Sequence, residues 1–336
     1  MDKKGFEMQF NWIFVLVAGT AILLLFSSII LKQKSISDTT TKAAILKNVE
    51  SIIASNSARE GITTSTDIPL STIEISCNKI TSGKVSKQFS SLILFSPLKI
   101  TGTKLLATSK EFSSPYKAVN MLFMSSPNVK YIIIGDDNLA REINKSISDK
   151  WNKGFFTAMP EIKYEKDTKY RLIFVNIPEG SFPASIQGMP DDDVTALKVQ
   201  GDDAKGTLTF YSKNRASWKE NGKSNYITKN LLIGAVFSGS NENYDCAAAN
   251  VFSRLALVSG INSDRAGKLL AQTVNSECVL AYQSSKDSFD KIKTSSALIS
   301  EKRQILTNEL NKISIESASL EENNQKLKIR SCPLVY

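Results

Sequence analysis

The chain has 336 residues, 42% hydrophobic and 22% charged, enough for one medium folded domain plus helices. Lys and Arg number 42 against 33 Asp and Glu, a net charge of +9. The lysines are spread along the chain as solubility alone would leave them, and an anionic neighbour (lipid, polysaccharide or nucleic acid) is the alternative reading. Histidine is absent, which excludes Ser-His-Asp and Cys-His catalysis, HExxH zinc sites and histidine proton shuttles in one step.

Residues 10–31, FNWIFVLVAGTAILLLFSSIIL, form an uncharged run flanked by Glu7 and Lys32. At 1.5 Å per residue such a helix crosses a hydrocarbon core of ~30 Å, with Trp12, Phe14, Leu16, Leu24 and Phe26 facing lipid. The run is longer than the apolar stretch of a cleavable signal and continues past its best small-residue spot, Ala18 to Ala21. A retained signal anchor is therefore expected, with residues 1–9 as a short cytoplasmic tail.

Just before this run stands Asp2-Lys3-Lys4-Gly5-Phe6. Followed closely by an apolar helix, it resembles the class III signal of type IV pilins and archaeal pilin-like proteins. The resemblance implies cleavage between Gly5 and Phe6 and packing of the helices into a filament core. It covers about thirty residues. Phe10 stands where bacterial pilins place a Glu, and Glu7, Gln9 and Asn11 interrupt the start of the apolar run.

Residues 32–60 keep a helical pattern through Ile45, Leu46, Val49, Ile52 and Ile53. Asp38 is a possible cap for a restarted helix and Gly61 a stop, which reads as a juxtamembrane stalk in need of a partner helix. Residues 61–240 alternate strand-like and helix-like runs. Strands are expected at 90–95 (ended by Pro97), 129–134 (VKYIII), 170–177 (stopped by Pro178), 194–199, 207–211 and 231–237. Helices are expected at 116–124, after Pro115, and through Leu139, Ile143 and Ile147; Asn221-Gly222 suits a tight turn. This rhythm predicts the α/β class: a Rossmann-like three-layer α/β domain with a partly parallel sheet.

Residues 241–280 read as a helical hairpin, one helix over 246–259 ending at Gly260 and a second capped by Ser263 or Asp264. That hairpin would set Cys246 beside Cys278 and leave Cys77 for Cys332. Four dispersed cysteines without a CxxC pair read as two disulfides outside the cytoplasm. Within 281–330, ahead of the tail at 331–336, Ile292, Ile299, Leu306, Ile313, Leu320 and Leu327 recur every seven residues. They predict one long coiled-coil-like helix of ~70 Å that assembles with the stalk, another copy or a protein partner.

Two Gly-Asp-Asp triplets, at Gly135 and Gly201, and Asp191-Asp192-Asp193 invite a metal reading, but the further ligands of a calcium loop are missing, and acidic turns are expected. Gly222-Lys223-Ser224 lacks the first glycine of a phosphate loop, and no nucleic-acid motif is present. No catalytic set, metal set or cofactor motif is read. Lysines flank the apolar run on both sides, so the cysteines, the size of the C-terminal part and the sequon Asn144-Lys145-Ser146 are what place the N-terminus in the cytoplasm and the bulk of the chain outside it. The expectation is a single-pass, membrane-anchored structural or interaction protein of the cell envelope. Its rival is an ectoenzyme or nucleotide-binding protein using the strand ends near Asp136 and Asp137.

Overall fold

The computed structural model describes every residue except 1–2, 58–59, 90–91, 179–181 and 274–275. The side chains of 3–11, 35, 56–57 and 276 are likewise outside the description, and with them those of Gly5 and Phe6 in the pilin-like segment. The first helix, α1 (Lys3–Ser57), is continuous. No restart occurs at Asp38, whose carboxylate instead pairs with Lys42 one turn on.

Beyond α1 lie two six-stranded sheets. The first is built from β1 (Thr64–Ser76), β2 (Lys79–Ser82), β3 (Val85–Gln88), β4 (Leu94–Phe95), β5 (Lys99–Ser113) and β6 (Lys117–Ser125). Its order is β3-β2-β1-β5-β6-β4, antiparallel except for the short β4–β6 pair. The second holds β7 (Val129–Ile134), β8 (Lys153–Phe156), β9 (Lys169–Val175), β10 (Val194–Gly201), β11 (Lys205–Asn214) and β12 (Ser217–Ile227). Its order is β12-β11-β10-β9-β7-β8, with β8-β7-β9-β10 parallel and the remainder antiparallel. The helix α2 (Asn138–Ser146) crosses between β7 and β8.

The α/β class holds, but the layering departs from a Rossmann-like domain. One face of the second sheet meets helices; the other, with Ile132, Leu172, Phe174 and Ala196, is covered by Ile162, Ile186 and Met189 from connections that include the short 3-10 turn Ala184–Ile186. The first sheet was not expected as a layer at all. On one face it buries Ile45, Leu46, Val49 and Ile52 of α1 against Ile73, Ile75, Ile80 and Leu105. The stalk's partner is thus a sheet rather than a helix.

Between the sheets sits α3 (Lys229–Phe237), buried from Leu231 to Phe237. Its run LLIGAVF is apolar on every side, so it lacks the polar stripe that distinguishes a helix from a buried strand, and the strand expected at 231–237 is overturned. Thr228 accepts a hydrogen bond from the Leu231 N–H and starts the helix. A Cβ on Gly234 would lie 2.9 Å from the Phe95 ring, so only glycine admits β4 this close. The helix expected at 116–124 is the strand β6: Met121 and Phe123 enter the central core while Leu122 and Met124 enter the core under α1. A strand buried on both faces reads as an unbroken apolar run without helical period. Asn221 and Gly222 form a bulge within β12, and the actual reversal lies between Asn214 and Ser217, with Arg215 at φ 57°.

The C-terminal part is a three-helix stack of α4 (Asn241–Gln272), α5 (Ser276–Lys302) and α6 (Thr307–Ile329). Helix α4 runs through Gly260, so the reversal falls near Thr273 and Cys278 lies at the opposite end of α4 from Cys246, ~39 Å away along the helix. The expected pairing is therefore wrong. The disulfides are Cys77–Cys246, joining the β1–β2 turn to α4, and Cys278–Cys332, joining α5 to the C-terminal tail, with Cα–Cα distances of 5.6 and 6.3 Å.

The expected single long helix is broken at 303–306, where Arg303 takes φ 49° and α6 folds back on α5. Ile292, Ile299, Ile313, Leu320 and Leu327 are all buried in the chain's own core, and Leu306 lies in the turn. The seven-residue repeat thus marks an internal seam, which is not free to receive another chain. That core also takes in residues of both sheets, so the boundary expected at 240 does not divide it.

Candidate functional site

The anchor is the first feature the fold isolates. Trp12, Phe14, Leu16, Leu24 and Phe26 are 58–75% exposed, and none of the span's most apolar stretch is buried by the rest of the chain. A helix that is apolar all round and touches nothing has the length and composition to cross a bilayer. From Leu31 to Ile45, where the same helix docks on the first sheet, is ~21 Å. Lys32, Lys34 and Lys42 line this region, with Lys47 just beyond it. The β2–β3 hairpin adds Lys84 and Lys87, its turn at Gly83 standing against the Lys42 side chain. The acidic Asp38 and Glu50 pair with Lys42 and Lys87. The remaining lysines form a basic collar between span and head.

A cleft of about 320 Å³ opens between the sheets at the amino ends of β7, β9 and β10, floored by Arg171, Tyr131 and Phe237 and rimmed by Asp191, Asp192 and Asp193. Among the described residues Arg171 is buried without a carboxylate partner. It donates to the carbonyls of Ala196, Ala235, Val236 and Ser238, capping the C-terminus of α3, and lies over the Phe210 ring. Burial lowers its pKa to about 10, with Tyr131 opposing. On the rim, Asp191 accepts from the buried Lys213 ammonium at 2.6 Å and from the Arg215 N–H, which hold its pKa below the usual carboxylate range. Sequence reasoning missed Arg171, although a lone cation within YRLIFV was its signal: an apolar strand keeps such a residue only where something inside needs it.

The strand ends near Asp136 and Asp137 are engaged differently. Asp137 caps α2 by accepting from the Ala140 N–H at 2.8 Å, and its other oxygen accepts from the Asn176 amide. Asn176 also exchanges hydrogen bonds with the Gly201 backbone, stitching the two Gly-Asp-Asp turns together. Asp202 accepts from the N–H groups of Ala204 and Lys205. Both triplets are thus turn and cap residues. Asn144 lies in the last turn of α2, half-buried, and its carbonyl accepts from Lys153.

A second buried ionisable group escaped sequence reasoning. Asp245, in the second turn of α4, is 8% exposed and accepts from the Ser224 hydroxyl beside a cavity of about 670 Å³. Burial pushes its pKa up to about 6, with the Ser224 hydrogen bond opposing. Because the folded carboxyl holds its proton more tightly than the unfolded one, its stabilising contribution is full below about pH 4 and is lost as pH rises through about 6. Asp245→Asn, which keeps an acceptor for Ser224, is expected to raise stability at about pH 7.5 by about 1–3 kcal/mol and to change little at about pH 4. Urea unfolding at the two pH values checks this; equal effects at both would refute it.

No protein-family model, curated protein or solved structure matches the chain, so its residues carry the functional reading alone.

Proposed function

We propose that the chain is a single-pass, membrane-anchored structural or interaction protein of the cell envelope, not an enzyme, presenting its disulfide-bonded head outside the cytoplasm. The observation that carries this reading is the division of labour within α1. Its first half offers lipid an uninterrupted apolar surface, while Ile45, Leu46, Val49 and Ile52 of the same unbroken helix are core residues of the first sheet. A head built around its own anchor helix is mounted stiffly, as an assembly or display function needs and as a flexible tether would not supply. The two disulfides fit an oxidising compartment.

Alkaline extraction of membranes combined with protease treatment of intact cells tests the proposal. The chain is expected to stay with the membrane at high pH and to lose its head to external protease. Release by alkali removes the anchor, and a head protected in intact cells but cut in lysed ones reverses the topology.

A filament subunit cleaved after Gly5 is a second reading, favoured by the exposure of the span: a helix with every apolar face free can pack on copies of itself as well as on lipid. Intact mass distinguishes the two, since that reading requires a mature chain beginning at Phe6.

A further inference from the structure

A smaller cavity, about 250 Å³, lies between β5, the C-terminal end of α2 and α3, and shares Phe237 as a lining residue with the cleft. Its polar lining includes the hydroxyls of Thr108, Ser146 and Ser148, which can donate or accept. Thr63 and Trp151 are 6% and 2% exposed, and among the described residues neither the Thr63 hydroxyl nor the Trp151 indole N–H has a hydrogen-bond partner. An indole N–H can only donate, so it lacks an acceptor. Lys110 reaches the same cavity half-buried, with no ion pair or hydrogen bond among the described residues. Burial lowers the Lys110 pKa, Lys229 lowers it further, and Glu60 opposes.

Backbone carbonyls in this region already accept from other lysines. Lys153 takes the carbonyls of Asn144 and Ile147 at 2.8 and 2.6 Å, and Lys150 takes that of Thr63 at 3.0 Å. At the rim, Lys145 adds a further ammonium, paired with Glu142. The cavity therefore brings together an ammonium, an indole N–H and a hydroxyl that make no hydrogen bond among the described residues. Water can answer the indole and the hydroxyl, but it brings no charge to a half-buried ammonium whose acidic neighbour, Glu60, already pairs with Lys117. An oxyanion satisfies all three.

We propose that this cavity is a binding site for a small oxyanion, a phosphate or a carboxylate, held by Lys110, Trp151 and Thr63. Ile233 and Phe237 form an apolar wall for the carbon of an organic acid or ester. The ligand is a free solute rather than a lipid headgroup, because Ser57, the last residue of α1, lies ~39 Å along the helix from Leu31, far above the bilayer surface. The site itself does not need the membrane reading; the choice of a free solute over a headgroup rests on it.

Trp151 is a built-in reporter. Inorganic phosphate, and separately acetate, is titrated into the full chain in detergent at constant ionic strength, with chloride as control, while tryptophan fluorescence is followed. A saturable change is expected with one of the two oxyanions and not with chloride, and which one responds identifies the class. Trp151→Phe should remove the signal, leaving Trp12 and Trp218 silent. Lys110→Gln should weaken binding about tenfold or more, and Thr63→Val by a smaller factor. The Thr63→Val arm keeps the test open if Lys110→Gln fails to fold. No saturable response to either anion up to about 50 mM, or a response unchanged by both Lys110→Gln and Thr63→Val, overturns the proposal.

Discussion

Arg171→Met is expected to destabilise the protein by about 3–5 kcal/mol, among the largest losses available from one substitution. The side chain fills the floor of the cleft, and Met occupies much of its volume, so a cavity is not the main cost. What Met removes is every donor. The carbonyls of Ala235, Val236 and Ser238 at the end of α3, and that of Ala196 in β10, would be left without the guanidinium. Buried acceptors stripped of their partner lose about 1–3 kcal/mol each before relaxation. Replacing a buried ion by an apolar residue is often harmless when its partner is replaced too, but a backbone carbonyl cannot be mutated away. Arg171→Lys keeps the charge and loses the planar fork, so it should fall between Met and the native residue. Urea unfolding followed by circular dichroism gives the comparison. A loss under about 1 kcal/mol for Met would mean that the end of α3 finds water instead.

The elements that sequence pattern located are those whose signal is local. The charge-free span, the VKYIII strand at β7 and the helix capped by Asp137 each carry their own boundary residues. The elements it misassigned are those whose identity is decided by what lies on both sides. LLIGAVF becomes a helix because Phe95 on one side and Tyr131 and Trp151 on the other enclose it, and KAVNMLFMS a strand because two cores flank it. The first sheet was illegible because β1, β2 and β3 are rich in Ser, Thr and Lys, with few apolar positions to mark an alternation. The heptad was read correctly as a seam and wrongly as an open one. Period 7 says that a face is buried and does not say against which chain. The oxyanion cavity draws Thr63, Lys110 and Trp151 from three distant segments, and none belongs to a motif. Only the fold brings them together.

Removing Cys77–Cys246 as the double variant Cys77→Ala with Cys246→Ala is expected to destabilise by about 3–5 kcal/mol. The bridge spans 169 residues against 54 for Cys278–Cys332. In the chain-entropy account the longer loop contributes about 1 kcal/mol more, so the Cys278→Ala with Cys332→Ala variant should be the milder of the two. Neither loss need dismantle the native geometry. Around Cys77 the seam is also sewn by Asn250, whose amide donates to Asn78 and to the Leu92 carbonyl, and by Asn243, which donates to the Ile75 carbonyl. Guanidinium unfolding of both variants, with a non-reducing peptide map of the native protein, tests the order and the pairing together. A Cys246–Cys278 peptide, or a larger loss from the shorter loop, would contradict the fold. The longer bridge fastens the sheet that buries α1 to the first helix of the C-terminal stack. Reduction should therefore weaken the head where the membrane mount meets the remainder of the molecule. Heat or denaturant applied to the reduced native protein should expose the α1–sheet core at lower stress than in the oxidised protein, and hydrogen exchange along 45–53 reads that directly.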